Sequence, residues 1–143
     1  VTRTRRPAPG PLGRFLLPAY AVGFAEGTCA HVLDLIRGGI HVYAGMAAVI
    51  QVLFLGLTVL DPLVVVLLFR RRTRSSGVVL AAVVMALDVT ANWITCWPVV
   101  RADPGWLLRP VGLLPITLFG LLVLATAVPL LRERREPAGR PVR

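Results

Sequence analysis

Four carboxylates stand inside apolar stretches of this 143-residue chain: Glu26, Asp34, Asp61 and Asp88. A carboxylate at the centre of a hydrocarbon layer costs about 2.5–3.5 kcal/mol on insertion scales. A chain keeps such groups where they face one another, water or a ligand. His31 lies between Glu26 and Asp34, and Asn92 follows Asp88 by one helical turn. Acids held near a histidine in a low-dielectric interior suit proton transfer, because desolvation and like-charge neighbours hold a carboxyl in its neutral form. We therefore expect at least one of these carboxyls to be protonated at neutral pH. His31, Glu26 and Asp88 are the candidate proton-transferring residues. Asp34, Gln51, Asp61, Asn92 and Trp93 are the candidate ligand-lining residues.

Four apolar segments must position them, each near the roughly 20 residues that a bilayer requires. They run over 15–36, 42–69, 78–100 and 106–131. Mean hydropathy is +0.74 and 56% of residues are hydrophobic, more than the 45–50% usual in soluble domains. The expectation is an all-α integral membrane four-helix bundle, with basic tails at 1–14 and 132–143 too charged and too rich in Pro and Gly to fold. The first segment has no small-residue cleavage site after its apolar core, so it reads as a retained helix.

All sixteen basic residues are Arg, and the net charge is +9. Thirteen of them fall in the two tails and in the loop that holds Arg70, Arg71, Arg72 and Arg74. In a four-span chain these regions share one side, which the positive-inside rule makes cytoplasmic, so both termini face the cytoplasm of a multi-pass cell-membrane protein. Arginines at segment ends describe topology and contact with anionic lipid, not a nucleic-acid groove. Trp93, Trp97 and Trp106 fall near the outer boundary, as aromatic belt residues do.

On a wheel of 100° per residue, Gly23, Glu26, Gly27, Ala30, His31, Asp34 and Gly38 share an arc of about 140°. Gln51, Thr58 and Asp61 share about 80° on the second segment. Ala81, Met85, Asp88, Asn92, Thr95 and Cys96 share one side of the third. Counted from the cytoplasmic ends, Glu26, Asp88 and Asp61 lie about 18, 16 and 12 Å deep. Three helices thus point polar groups at one interior, and the fourth, with Thr117 and Thr126, walls it. Pro62 follows Asp61 and deprives the Thr58 carbonyl of its helical partner. His41 and Tyr43 fall on the outer overhang of the long second segment.

Structural readings stand beside these. Asp34 can pair with Arg37 at the surface, Asp61 can cap a helix restarted at Pro62, and His31 and Gln51 can be interhelical hydrogen-bonding groups. Cys29 and Cys96 read as packing thiols rather than a disulfide. There is no HExxH, CxxC or paired ExxH, so no metal and no cofactor are expected.

Three stretches are similar to the emopamil-binding-protein (EXPERA) superfamily: CAHVLD at 29–34, LDPLVVVLLFRRR at 60–72 and MALDVTAN at 85–92. The resemblance implies a four- or five-helix bundle around a cavity for a flat lipophilic ligand such as a sterol. It also implies double-bond migration by protons passed between buried acids and a histidine. Carried over, His31 with Glu26 or Asp34 is the acid–base group, and Asp61, Asp88 and Asn92 line the pocket. The histidine-to-acid spacing is one residue shorter than the family's, and the last helix lacks its polar residue. The expected function is binding of a small sterol- or isoprenoid-like ligand in a polar intramembrane cavity, with isomerase-type proton transfer. The alternatives are a proton-coupled transporter, as a homo-oligomer, and a non-catalytic subunit of a membrane complex.

Overall fold

The computed structural model describes residues 10–109 and 112–133. The order is α1 (Pro11–Gly38), a short 3-10 turn (Gly39–His41), α2 (Ala48–Phe69), α3 (Arg74–Ala102), a second 3-10 turn (Pro104–Leu108) and α4 (Leu113–Glu133). The described residues contain no strand. Consecutive helices pack against each other and α4 closes on α1.

Three helices, α2, α3 and α4, are long and apolar enough to cross a membrane. Only 28%, 39% and 28% of their apolar windows are buried within the protein. Most of their hydrocarbon therefore faces outward, as Val49, Val52, Leu118 and Leu121 do, which suits lipid and not water. The first helix is long enough at 28 residues. It carries Arg14, Glu26, Asp34 and Arg37 and is not one of these three.

Helix ends depart from the sequence expectation for local reasons. α1 starts at Pro11, within the expected basic tail; proline suits a first helical position, where no N–H is needed. Its Leu12 and Gly13 N–H groups both donate to the Glu133 carboxylate of α4, at 3.1 Å each. Arg132 and Glu133, expected in the second tail, continue α4 instead, where Glu133 is held by those two N–H groups; of the tails expected at 1–14 and 132–143, residues 1–9 and 134–143 lie outside the described residues. Residues 42–47 form turns rather than the start of a helix, after Gly39 adopts a positive φ of 63° that ends α1. Tyr43 accordingly leaves the expected overhang and is buried. Trp106 belongs to the second 3-10 turn, started by Asp103, whose side chain accepts from the Gly105 N–H at 3.0 Å. Pro62 sits inside α2 without ending it.

The core joins Tyr20 and Phe24 of α1 to Phe54, Leu57 and Val64 of α2, Val78 and Met85 of α3 and Val123 of α4. The Tyr20 hydroxyl meets the Val123 carbonyl and Thr126 Oγ1, each at 2.8 Å. Phe24 meets Phe119 edge to face at 5.7 Å.

Candidate functional site

Two carboxylates lie in the bundle interior. Asp61 is 4% exposed and Asp88 6%, the only charged side chains among the described residues to be buried. They come from adjacent helices and are near enough for their charges to repel. Neither has a basic partner among the described residues. Burial follows from the faces these helices present: Asp61 shares its face with Leu57 and Val64, and Asp88 shares its face with Ala81 and Met85.

Their surroundings differ. Asp88 Oδ1 accepts from Asn92 Nδ2 at 2.8 Å, and the same amide donates to the Asp88 carbonyl at 2.9 Å. Asp61 rests against α1 at Gly27, where an added β-carbon would lie 2.7 Å from Asp61 Oδ2. One helical turn before Asp61, Thr58 Oγ1 is buried without a hydrogen-bond partner.

A second group lies at the end of the bundle opposite the arginine-rich α2–α3 turn. The Tyr43 hydroxyl donates to Asp34 Oδ2 at 2.9 Å and meets His31 Nδ1 at 3.1 Å. A hydroxyl has a single proton. With that proton on the Asp34 bond, His31 must donate from Nδ1, which leaves Nε2 of the neutral ring as a free base. His31 also stacks on Phe54 at 5.9 Å. Burial, and then the Asp34 carboxylate it is bonded to, hold the Tyr43 phenol above its ordinary range, so it stays a donor.

The candidate residues thus divide. Asp61, Asp88 and Asn92 come together inside the bundle, and His31 and Asp34 come together around Tyr43. Glu26 joins neither: it is exposed on the outer face of α1. Glu26 and His31 are five residues and about 140° apart on the wheel, at opposite edges of the polar arc. Packing of Tyr20 and Phe24 turns the His31 edge inward. Gln51 donates to the carbonyls of Met46 at 2.7 Å and Ala44 at 3.5 Å, so it holds the loop that carries Tyr43. Trp93 donates from Nε1 to Thr117 Oγ1 at 2.9 Å, tying α3 to α4. Asp34 takes Tyr43, not the expected Arg37, as its hydrogen-bond partner.

Sequence reasoning missed Tyr43. The signal was the run RGGIHVYAG, whose glycines mark a chain reversal that returns the tyrosine to the helices. Cys29 and Cys96 are free thiols, the former exposed. Among the described residues no three His, Cys, Asp or Glu side chains could hold a metal ion.

Hydrogen bonds and ring contacts between α1 and α4 run from Leu12 and Glu133, through Tyr20 and Thr126, to Phe24 and Phe119. Beyond that point Gly27 and His31 of α1 and Ile116 and Thr117 of α4 are half-buried. The two clefts described, of about 280 and 440 Å³, lie elsewhere, at the arginine-rich end. Set against known protein families, characterised proteins and solved structures, the chain has no match.

Proposed function

We propose that this chain is a four-span membrane protein with cytoplasmic termini. Its interior binds the polar head of a small lipophilic molecule and passes protons to and from it. The observation that carries this reading is the pair of buried acids, Asp61 and Asp88, with no basic partner. Such a pair is costly in any bilayer or protein interior, and a bound hydroxyl or amine would relieve the cost. The unpartnered Thr58 hydroxyl beside Asp61 supplies one further hydrogen-bonding group for the ligand. Entry is between α1 and α4, beyond Phe24 and Phe119.

The resemblance to the emopamil-binding-protein superfamily supports an isomerase step. Two buried like charges on adjacent helices favour the state in which one of the two carboxyls carries a proton. That proton would pass to the alkene carbon farther from the allylic position, His31 Nε2 would take a proton from the allylic carbon bonded to the other alkene carbon, and return of the proton from His31 to the acids, through water, would reset the site. The double bond shifts by one position, and protons and electrons balance. Mass spectrometry of lipophilic molecules retained by the purified protein tests binding. We expect a sterol- or isoprenoid-like molecule that Asp61→Asn and Asp88→Asn lose. Turnover in deuterated water tests the chemistry, with deuterium expected in the isomerised product. A protein that retains no such molecule, or retains it equally in both variants, overturns the reading.

The outward Glu26 favours a second reading, an assembly subunit. A carboxyl about 22 Å along α1 from its start would face hydrocarbon unless another helix covers it. Glu26→Gln would then dissociate a native oligomer or complex while leaving ligand retention intact.

A further inference from the structure

The four arginines of the α2–α3 turn and Arg14 of α1 stand beside an apolar cleft, and the proposed acid–base site uses none of them. The cleft holds about 280 Å³ and is lined by Arg14, Leu17 and Ala21 of α1 and by Leu68, Phe69 and Arg74 around the turn. That volume falls just below the roughly 300–1,000 Å³ of ligand pockets. It suits a head group with the first part of a chain, not a whole lipid.

The turn is built to hold charge there. Thr73 Oγ1 donates to the Leu67 carbonyl at 3.2 Å, and Arg74 Nε donates to the Leu68 carbonyl at 2.9 Å, so both occupy carbonyls that the end of α2 leaves open. Gly77 lets α3 come close: a β-carbon there would lie 3.0 Å from the Leu67 and Leu68 backbone. Arg70, Arg71 and Arg72 are exposed on the same turn. Among the described residues the one acid at this end is Glu133, whose two oxygens accept the Leu12 and Gly13 N–H groups.

We propose that this cleft is a specific seat for an anionic phospholipid of the surrounding leaflet. The phosphate lies against Arg14, within the positive field of Arg74 and the turn, and the start of an acyl chain runs between Leu17, Ala21 and Leu68. Charge complementarity selects the anion, and the apolar walls select a lipid over a free phosphate. The outward faces of Phe15 and Phe69, 79% and 68% exposed, continue the apolar surface from the cleft toward the membrane.

The test reconstitutes the full chain in vesicles of equal parts phosphatidylglycerol and phosphatidylcholine. Native mass spectrometry after gentle extraction counts the retained lipids. We expect phosphatidylglycerol to be retained in preference. Arg14→Gln, a change at an exposed side chain, should reduce that preference about fivefold. Ala21→Trp should fill the cleft and release the lipid. Val79→Trp, which fills the separate cleft between α3 and α4, should change nothing. Excess inorganic phosphate should not displace the lipid. Equal retention of the two lipids overturns the proposal, and so does a loss with Arg132→Gln as large as with Arg14→Gln, which would mark diffuse surface charge. Displacement by inorganic phosphate also overturns it, in favour of a small-anion site. If Ala21→Trp does not fold, as judged by circular dichroism, the Arg14 and Arg132 pair decides.

Discussion

Asp61 owes its place to a residue with no side chain. Its carboxylate fills space at Gly27 that a β-carbon would claim, and it lies near enough to Asp88 to be repelled. A group kept under these conditions works against the stability of its own fold. We therefore expect Asp61→Asn, nearly the same in volume, to raise the unfolding free energy in detergent by about 1 kcal/mol, while ligand retention is lost. Thermal unfolding beside retained-molecule analysis checks both; a variant that unfolds earlier would make Asp61 structural. Gly27→Ala should act in the opposite sense, destabilising by about 1–3 kcal/mol through overpacking against that carboxylate. Tyr43→Phe removes the donor to Asp34 and the acceptor for His31. The expected cost is about 1–2 kcal/mol, and nitrogen NMR of the imidazole should report a loss of the single Nδ1-protonated tautomer. The burial of Asp61 and Asp88 was readable in the sequence because few arrangements tolerate a carboxylate in hydrocarbon. Glu26 was not, since an arc of about 140° does not say which edge turns inward. Bulk decided it, through Tyr20 and Phe24.

Helix identity was readable for the same reason that helix ends were not. Long apolar runs admit one secondary structure in a bilayer, and α2, α3 and α4 follow them. Ends depend on contacts between elements. The start of α1 is fixed by Glu133, 121 residues from Leu12, and no local pattern announces such a pair. A carboxylate against N–H groups at a helix start is stabilising through both hydrogen bonds and the helix dipole. Glu133→Ala should therefore cost about 1 kcal/mol and speed hydrogen exchange over the first turn of α1, with the Tyr43 end unchanged. At that other end, Gln51 does for the loop what Glu133 does for the helix. Its amide holds the Ala44 and Met46 carbonyls, so it acts on His31 and Asp34 only through Tyr43. Gln51 thus positions the loop that carries Tyr43, a contact that its place on the polar arc did not announce.

At the scale of the whole molecule the first helix decides the topology, because three helices meet the length and apolarity of a span and α1 carries four charges. Its contacts argue for crossing. α1 meets Glu133, the last described residue of α4, at one end and reaches Tyr43, in the loop before α2, from the other. It therefore runs the length of the helices beside it, and if they cross, so does α1. The arginine-rich ends of all four helices then share one leaflet, which we expect from the positive-inside rule to be the cytoplasmic one. Single cysteines in a background with Cys29 and Cys96 changed to Ser can read this with a membrane-impermeant thiol reagent. Leu12→Cys and Ser76→Cys should be protected in intact cells and labelled in inverted vesicles. Ile40→Cys and Gly105→Cys should show the reverse. All four positions are exposed at helix ends or turns, so protection would come from the membrane and not from packing. If Leu12→Cys and Ile40→Cys were labelled from the same side, α1 would lie along the surface, and His31 and Asp34 would leave the membrane interior with it. The Asp61–Asp88 pair would then lose the base that the proposed proton transfer requires.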